Sequence, residues 1–395
     1  MRCERLRLVR FAPRIDQADE YAHSASSRTK GPLRTSESYC RQSAATRGSL
    51  GALQDCRRGR PSLRIVPGAF LPVDRILKTD ERTMPISQSN VTFVSPERPG
   101  TQGSPSAHRF AYRVGDISFG VSSAKDLPLL LDPGLRAFES DSQNCDTEIF
   151  VEWATQLKTP SRRPAFQSGG LWSAFEEDRG TAFYFNSSYL GEAPYKRAWF
   201  NSEFTQGHVL LLRRYFDAGT PVYPLEYPLD ELLMIHRLAR GEGAEVHACG
   251  VVTADGIGRL FVGHSGAGKS TTSRLWLHQP GVTVLSDDRI ILRLCAGSPV
   301  MYGTPWHGDA GLAAQASAPV HQIFLLEHGG RNEIVPIDPA RATAELFART
   351  FVPYHSASGL SHTLQLLEQI TARVPVAVYR FKPDTSAIEE IVRAA

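Results

Sequence analysis

The sequence predicts an α/β protein, with a small β-rich domain followed by a domain of strands and helices organised around a glycine-rich loop. Three observations point there. Short period-two runs broken by turn residues crowd residues 110–218. From Pro228 onward, helical patterns alternate with apolar strands. Within that second part, Gly263-His264-Ser265-Gly266-Ala267-Gly268-Lys269-Ser270 stands between a strand and a helix.

The chain has 395 residues, room for about two to three domains. Hydrophobic residues make up 42% and charged residues 22%, which excludes a collagen-like or wholly disordered chain. No apolar run reaches about 18 residues, so no membrane-spanning helix and no membrane partner is expected. Cys3, Cys40, Cys56, Cys145, Cys249 and Cys295 form no Cys-x-x-Cys pair. That argues against a zinc ribbon and for reduced thiols in a cytoplasmic setting.

Charge is uneven along the chain. Residues 1–83 hold 17 Lys and Arg against 9 Asp and Glu, whereas the remainder holds 27 against 32. A mildly acidic body does not suggest a nucleic-acid partner. The basic segment is rich in Arg and Ser, and hydrophobic periodicity is hard to find in it. It reads as a basic arm, an organelle transit peptide or an over-extended start. Its acidic residues argue against a transit peptide. The favoured reading is an over-extended start with Met84 as the true beginning, and the segment is assigned no function. Residues 84–226 then form the β-rich domain and 227–395 the loop-bearing domain.

In the middle region, residues 110–114 and 117–121 alternate around Gly115-Asp116, a hairpin signal. Further strands are expected at 148–153, 171–175, 181–185, 196–200 and 209–215, with a turn at Asp178-Arg179-Gly180. Trp172 and Tyr184 could bind a ligand, although such aromatics more often pack within a sheet. Pro228-Leu229-Asp230-Glu231 opens a helix with Pro and acids in its first turn, and Gly241 ends it. Leu229, Leu232, Leu233 and His236 form one face of it. Strands follow at 245–252 and 259–262. After the loop come strands at 282–285, 290–294, 323–327 and 374–381, and helices at 271–277, 339–349, 357–373 and 385–393.

The loop matches G-x-x-x-x-G-K-[ST] in full, and its flanks supply the context that makes the match specific. Glycines let successive backbone N–H groups converge on phosphate oxygens, and the helix N-terminus adds its positive end. Gly263, His264, Ser265, Gly266, Ala267, Gly268, Lys269, Ser270 and Thr271 are the expected nucleotide-binding residues. Lys269 reaches the β- and γ-phosphates, and Ser270 offers its hydroxyl to magnesium. The next strand ends in Ser286-Asp287-Asp288. Carboxylates at a strand's C-terminal edge beside such a loop are placed to hold magnesium or accept a proton. The plainer alternative is a solvated turn. No Asn-Lys-x-Asp guanine-reading motif and no Leu-Ser-Gly-Gly-Gln transporter signature occurs.

The loop followed after one helix by Ser286-Asp287-Asp288 resembles the kinase domain of HPr kinase/phosphorylase. It is similar, more distantly, to the nucleotide half of ATP-dependent phosphoenolpyruvate carboxykinase. The resemblance covers about residues 227–381 and implies a P-loop kinase-like fold of that type. His247 precedes Lys269 at an interval similar to that of a functional histidine in HPr kinases, and 323–327 resembles their later core strand. The resemblance implies ATP and magnesium as cofactors. It also implies Lys269 as phosphate binder and charge stabiliser, Ser270 and Asp287 at the metal, Asp288 as base and His247 beside the transferred phosphate. Either aspartate can take either part, and His247 alternatively reads as a satisfied strand histidine.

Departures accompany the likeness. The Glu-x-Arg-Gly signature of HPr kinases is absent, and Tyr302-Gly303-Thr304-Pro305-Trp306-His307-Gly308-Asp309 stands in its place. Asp309 is the candidate replacement metal ligand. Trp306 and His307 either wall a substrate or form a rigid turn. No arginine matches the phosphorylase half-reaction, and the carboxykinase's substrate arginine and metal-binding lysine and histidine have no counterparts. The expected function is therefore a Mg–ATP phosphotransferase acting on a hydroxyl of a protein, peptide or small molecule. The alternative is a nucleotide-gated binding module with little turnover, and a carboxykinase-like enzyme stands third. The acceptor and any homo-oligomer stay open.

Overall fold

The computed structural model describes residues 108–177, 179–187 and 190–394. The basic segment, the expected start at Met84 and Asp178 of the expected turn lie outside the described residues. The architecture is mixed α/β with two large sheets.

The first sheet has the order β1-β2-β3-β8-β7-β6-β5-β4. Its strands are β1 (Arg109–Val114), β2 (Ile117–Ser123), β3 (Thr147–Ala154), β4 (Phe166–Ser168), β5 (Trp172–Glu177), β6 (Gly180–Ser187), β7 (Gly191–Asn201) and β8 (Gln206–Leu212). The β1–β2 hairpin turns at Gly115 and Asp116, both with positive φ. β3 pairs parallel with both β2 and β8, and the remaining pairings are antiparallel. Two expected strands overrun the observed ones. Leu171 falls in a turn because Gly169 and Gly170 before it take positive φ, leaving its side chain exposed. The last expected strand stops at Leu212, and Arg213–Tyr215 curls into a 3-10 turn with the Arg213 guanidinium 4.4 Å over the Trp153 ring. Trp172 stacks on Phe166 and Tyr184 is buried against Phe175, so both pack within the sheet.

Helix α1 (Leu229–Arg237) was expected to bury one face, but all nine of its residues are buried. Its leucines join an apolar cluster that holds Phe119, Phe183 and Phe200 together with Ile291, Tyr302 and Trp306. With apolar partners on more than one side, its polar groups must be satisfied internally. Asp230 accepts from the Trp306 indole at 3.2 Å, Glu231 pairs with Arg289, and Arg237 pairs with Glu242.

The second sheet has the order β14-β13-β12-β9-β10-β15-β18-β16, with β11 and β17 also on β9. Its strands are β9 (Ala244–Val252), β10 (Gly258–Val262), β11 (Thr283–Ser286), β12 (Arg289–Cys295), β13 (Ser298–Gly303), β14 (Ser317–Pro319), β15 (Gln322–His328), β16 (Glu333–Pro336), β17 (Thr350–Phe351) and β18 (Val376–Phe381). Helices α2 (Lys269–Leu277), α3 (Pro339–Phe347), α4 (Ala357–Thr371) and α5 (Ser386–Arg393) complete this part. β10, β15 and β18 run parallel, and their Val, Ile, Leu and Phe residues are buried on both faces. The expected 339–349 helix ends at Phe347, because Thr350 and Phe351 pair with β9. No helix among the described residues is long and apolar enough to cross a membrane.

β9 changes partners midway. Residues 244–247 lie between β12 and β17, and residues 248–252 between β10 and β11. This crossover positions the candidate site.

Two buried groups of α1 make stability depend on pH in opposite senses. Burial, then the nearby His355, lowers the His236 pKa to about 3, although its ring bonds the Leu232 carbonyl at 2.7 Å. Below an unfolded value of about 6.5 the unfolded chain therefore takes up the proton first, and stability falls toward pH 3. Burial raises Asp230 to about 7. That contribution is fully present below about pH 3.8 and is lost as pH rises through 7. Between about pH 4 and 6.5 the two slopes offset. Asp230→Asn removes one of them, so stability should rise with pH more steeply than in wild type, by about 1.4 kcal/mol per pH unit. Urea unfolding at pH 4.5 and 6.5 measures this, and parallel wild-type and variant slopes would disprove it.

Candidate functional site

The loop leaves β10 at Val262 and enters α2 at Lys269. Gly266 and Gly268 take φ of +76° and +102°, which L side chains rarely adopt. A Cβ on Gly268 would also sit 2.6 Å from the Phe381 ring. The Ala267 amide donates to the His264 carbonyl, closing a turn. The His328 Nε2–H donates to the Gly266 carbonyl at 2.6 Å and steadies the crest from β15. Lys269 is 6% exposed, and its Nζ donates back to the carbonyls of Gly263 and His264 at 3.2 and 3.0 Å. His264, Ser265 and Gly266 are exposed, and Ser270 and Thr271 are half-buried. Burial, then the charges of Arg349 and Lys269, lower the His264 pKa despite Glu345.

The β9 crossover draws three segments together. The His247 carbonyl accepts from the Gly263 amide at 3.2 Å, tying down the first loop residue. The His247 amide donates to the Arg349 carbonyl at 2.8 Å, and the Ala248 amide to the Asp288 carbonyl at 3.1 Å. The side chains meet as well. His247 Nε2 lies 2.9 Å from Asp288 Oδ1. Because a carboxylate only accepts, Nε2 carries the hydrogen. Burial lowers the His247 pKa, the Asp288 hydrogen bond opposes this, and the Lys269 charge adds to the lowering. The ring is neutral near pH 7, so the contact is a hydrogen bond rather than an ion pair.

The two aspartates have different surroundings. Asp288 touches His247 through Oδ1 and Arg289 Nη1 through Oδ2. Asp287 is fully buried. Its Oδ1 accepts from the amides of Gly308 and Leu312 at 2.9 and 3.3 Å, and its Oδ2 from Ala310 at 2.9 Å. Gly308 permits this approach, since a Cβ there would lie 2.7 Å from Asp287 Oδ2. Asp309 is exposed on the same loop. Trp306 is buried and packs into the core, whereas His307 is exposed. His247, Asp288 and the start of the loop are thus together, and Lys269 is near enough for its charge to act on His247. Arg289, Glu231 and Phe351 were not expected from sequence. Arg289 directly follows the aspartate pair, which is an ion-pair signal, but Glu231 and Phe351 have no local pattern linking them to it.

The residues present fit a magnesium–nucleotide complex. The space above Gly266 is open, with nothing within 4 Å of a Cβ built there. The Thr272 hydroxyl is buried without a hydrogen-bond partner among the described residues. Ser270 offers a hard oxygen donor, and magnesium usually takes one or two protein oxygens and completes its shell with phosphates and water. Among the described residues no group of three or more His, Cys, Asp or Glu is arranged to hold a metal, so phosphate oxygens would have to be co-ligands.

No family model matches the sequence, and no curated protein matches it. Among solved structures the chain is similar to the HPr(Ser) kinase/phosphatase from Coxiella burnetii. That likeness has 18% identity and a TM-score of 0.24, and covers 38% of this chain and 94% of that one.

Proposed function

We propose that the chain is a Mg–ATP-dependent phosphotransferase acting on a hydroxyl group of a protein, peptide or small molecule. The observation that carries this reading is the β9 crossover, where the first residue of the glycine-rich loop, His247 and Asp288 are joined. Residues 227–395 would be the phosphotransfer domain and 84–226 a β-rich domain before it.

The roles follow from the chemistry of each group. Backbone amides of residues 263–271 cradle the phosphates, and Lys269 turns from the loop carbonyls toward phosphate oxygens. Ser270 would hold magnesium, which when bound would spread the charge on the phosphates. Asp288 accepts the acceptor's hydroxyl proton, and neutral His247 orients it by donating from Nε2. Asp287 organises the 308–312 loop from beneath, so Asp288 is the better candidate for base. Asp309, exposed on that loop, is the outlying candidate for a metal contact.

The test uses the full chain with γ-labelled ATP and magnesium, offered lysate proteins and peptides as acceptors. Label should reach an acceptor and disappear with Lys269→Ala and with Asp288→Asn. ATP binding lost with Lys269→Ala, without transfer or hydrolysis in any sample, would replace the enzyme with a nucleotide-gated binding module.

A further inference from the structure

A buried chain of charges enters the candidate site from α1. Arg289 Nε lies 2.7 Å from Glu231 Oε1, and Arg289 Nη1 donates to Asp288 Oδ2. The guanidinium carbon lies 4.1 Å above the Phe351 ring, and Glu245 stands 3.6 Å from Nε. These partners come from four places: α1, β17, β9 and the turn before β12. The Arg289 and Glu231 side chains are only 12% and 7% exposed. Burial works against the Arg289 charge, but Glu231, Asp288 and Glu245 outweigh it and hold the guanidinium above its ordinary pKa. Burial, then Glu231, pushes the Glu245 carboxyl well up.

Charges buried this deeply are costly, and packing alone would be served as well by apolar side chains. The arrangement uses what is particular to arginine. A planar guanidinium reaches two carboxylates from separate edges at once, whereas an ammonium is a point charge. With Oδ1 on His247 and Oδ2 on Arg289, both Asp288 oxygens have fixed neighbours.

We infer that Arg289, braced by Glu231 and the Phe351 ring, is a positioning residue that aims the Asp288 carboxylate, so that α1 sets the geometry of the proposed base. This rests on the phosphotransfer reading above. α1 shares its apolar cluster with Phe119, Phe183 and Phe200 of the first sheet.

The experiment measures Mg–ATP turnover by the full chain, with water or a labelled acceptor, in Arg289→Lys, Glu231→Gln, Asp288→Asn and the Asp288→Asn/Arg289→Lys double variant. A misaimed base costs about 10- to 100-fold in kcat. Arg289→Lys and Glu231→Gln should show that loss with KM for ATP within about twofold of wild type. Arg289→Lys should add nothing on top of Asp288→Asn, because it acts through that carboxylate. Phe351, half-buried at the site edge, gives a milder pair should the charge variants not fold. Phe351→Leu should lower kcat and Phe351→Trp should keep it. Wild-type kcat in Arg289→Lys beside an inactive Asp288→Asn overturns the inference alone. A multiplicative loss in the double variant, or equal kcat in both Phe351 variants, does the same. Wild-type turnover in Asp288→Asn overturns the phosphotransfer reading as well.

Discussion

Lys269→Ala is expected to lower phosphotransfer from ATP by about 10²- to 10³-fold, the usual cost of removing one charge-stabilising donor from a reacting group. Lys269 is buried, and it braces the loop through the carbonyls of Gly263 and His264. Its loss should therefore weaken ATP binding and slow the chemical step together. Asp288→Asn should leave ATP binding close to wild type and lower kcat by about 10²-fold or more, the scale of general-base catalysis. Steady-state kinetics beside fluorescent-nucleotide binding separates the two signatures. If both variants lose the same amount through KM alone, Asp288 is a binding group rather than a base.

The largest stability effect is expected at the neighbouring aspartate. Asp287→Ala strands three backbone amides, those of Gly308, Ala310 and Leu312, around a fully buried position. Hydrogen bonds to a charged group contribute about 1.5–3 kcal/mol each and are not additive, so a loss of about 3–5 kcal/mol is the expectation. That is a large share of a typical folding free energy of about 5–15 kcal/mol. Asp287→Asn should fall between, since it keeps one acceptor and points a donor at another amide. Urea unfolding without nucleotide or magnesium is the measurement. An Asp287→Ala protein that unfolds like wild type but loses magnesium-dependent activity would return Asp287 to the metal.

How much was legible in the sequence follows the reach of each signal. The loop and its flanking strand and helix are local, because glycines, lysine and serine at fixed spacing are what a phosphate-cradling turn requires. The aspartate pair was visible for the same reason. The division of labour within it was not, since Asp287's partners are amides of a distant loop. α1 showed its leucine face, but its complete burial depends on elements far away in the chain. Arg289 stood in plain view after the pair, yet Glu231, Glu245 and Phe351 reach it only through tertiary structure. The two strand overruns in the first sheet reflect a paired glycine turn at 169–170 and an arginine–tryptophan contact, neither of which enters a period-two pattern.

The change of partners along β9 has a consequence for how the protein is made. The strand is synthesised first, but its neighbours β10, β11, β12 and β17 follow it, and the last, Thr350–Phe351, comes well after the aspartate pair. Until that short strand has left the ribosome, His247 lacks its Arg349 carbonyl and Arg289 lacks the ring it stacks on. Such non-local pairing forms late in folding. A nascent or prematurely terminated chain would thus carry the complete glycine-rich loop without these contacts, and the proposed activity would appear only after Phe351 had emerged.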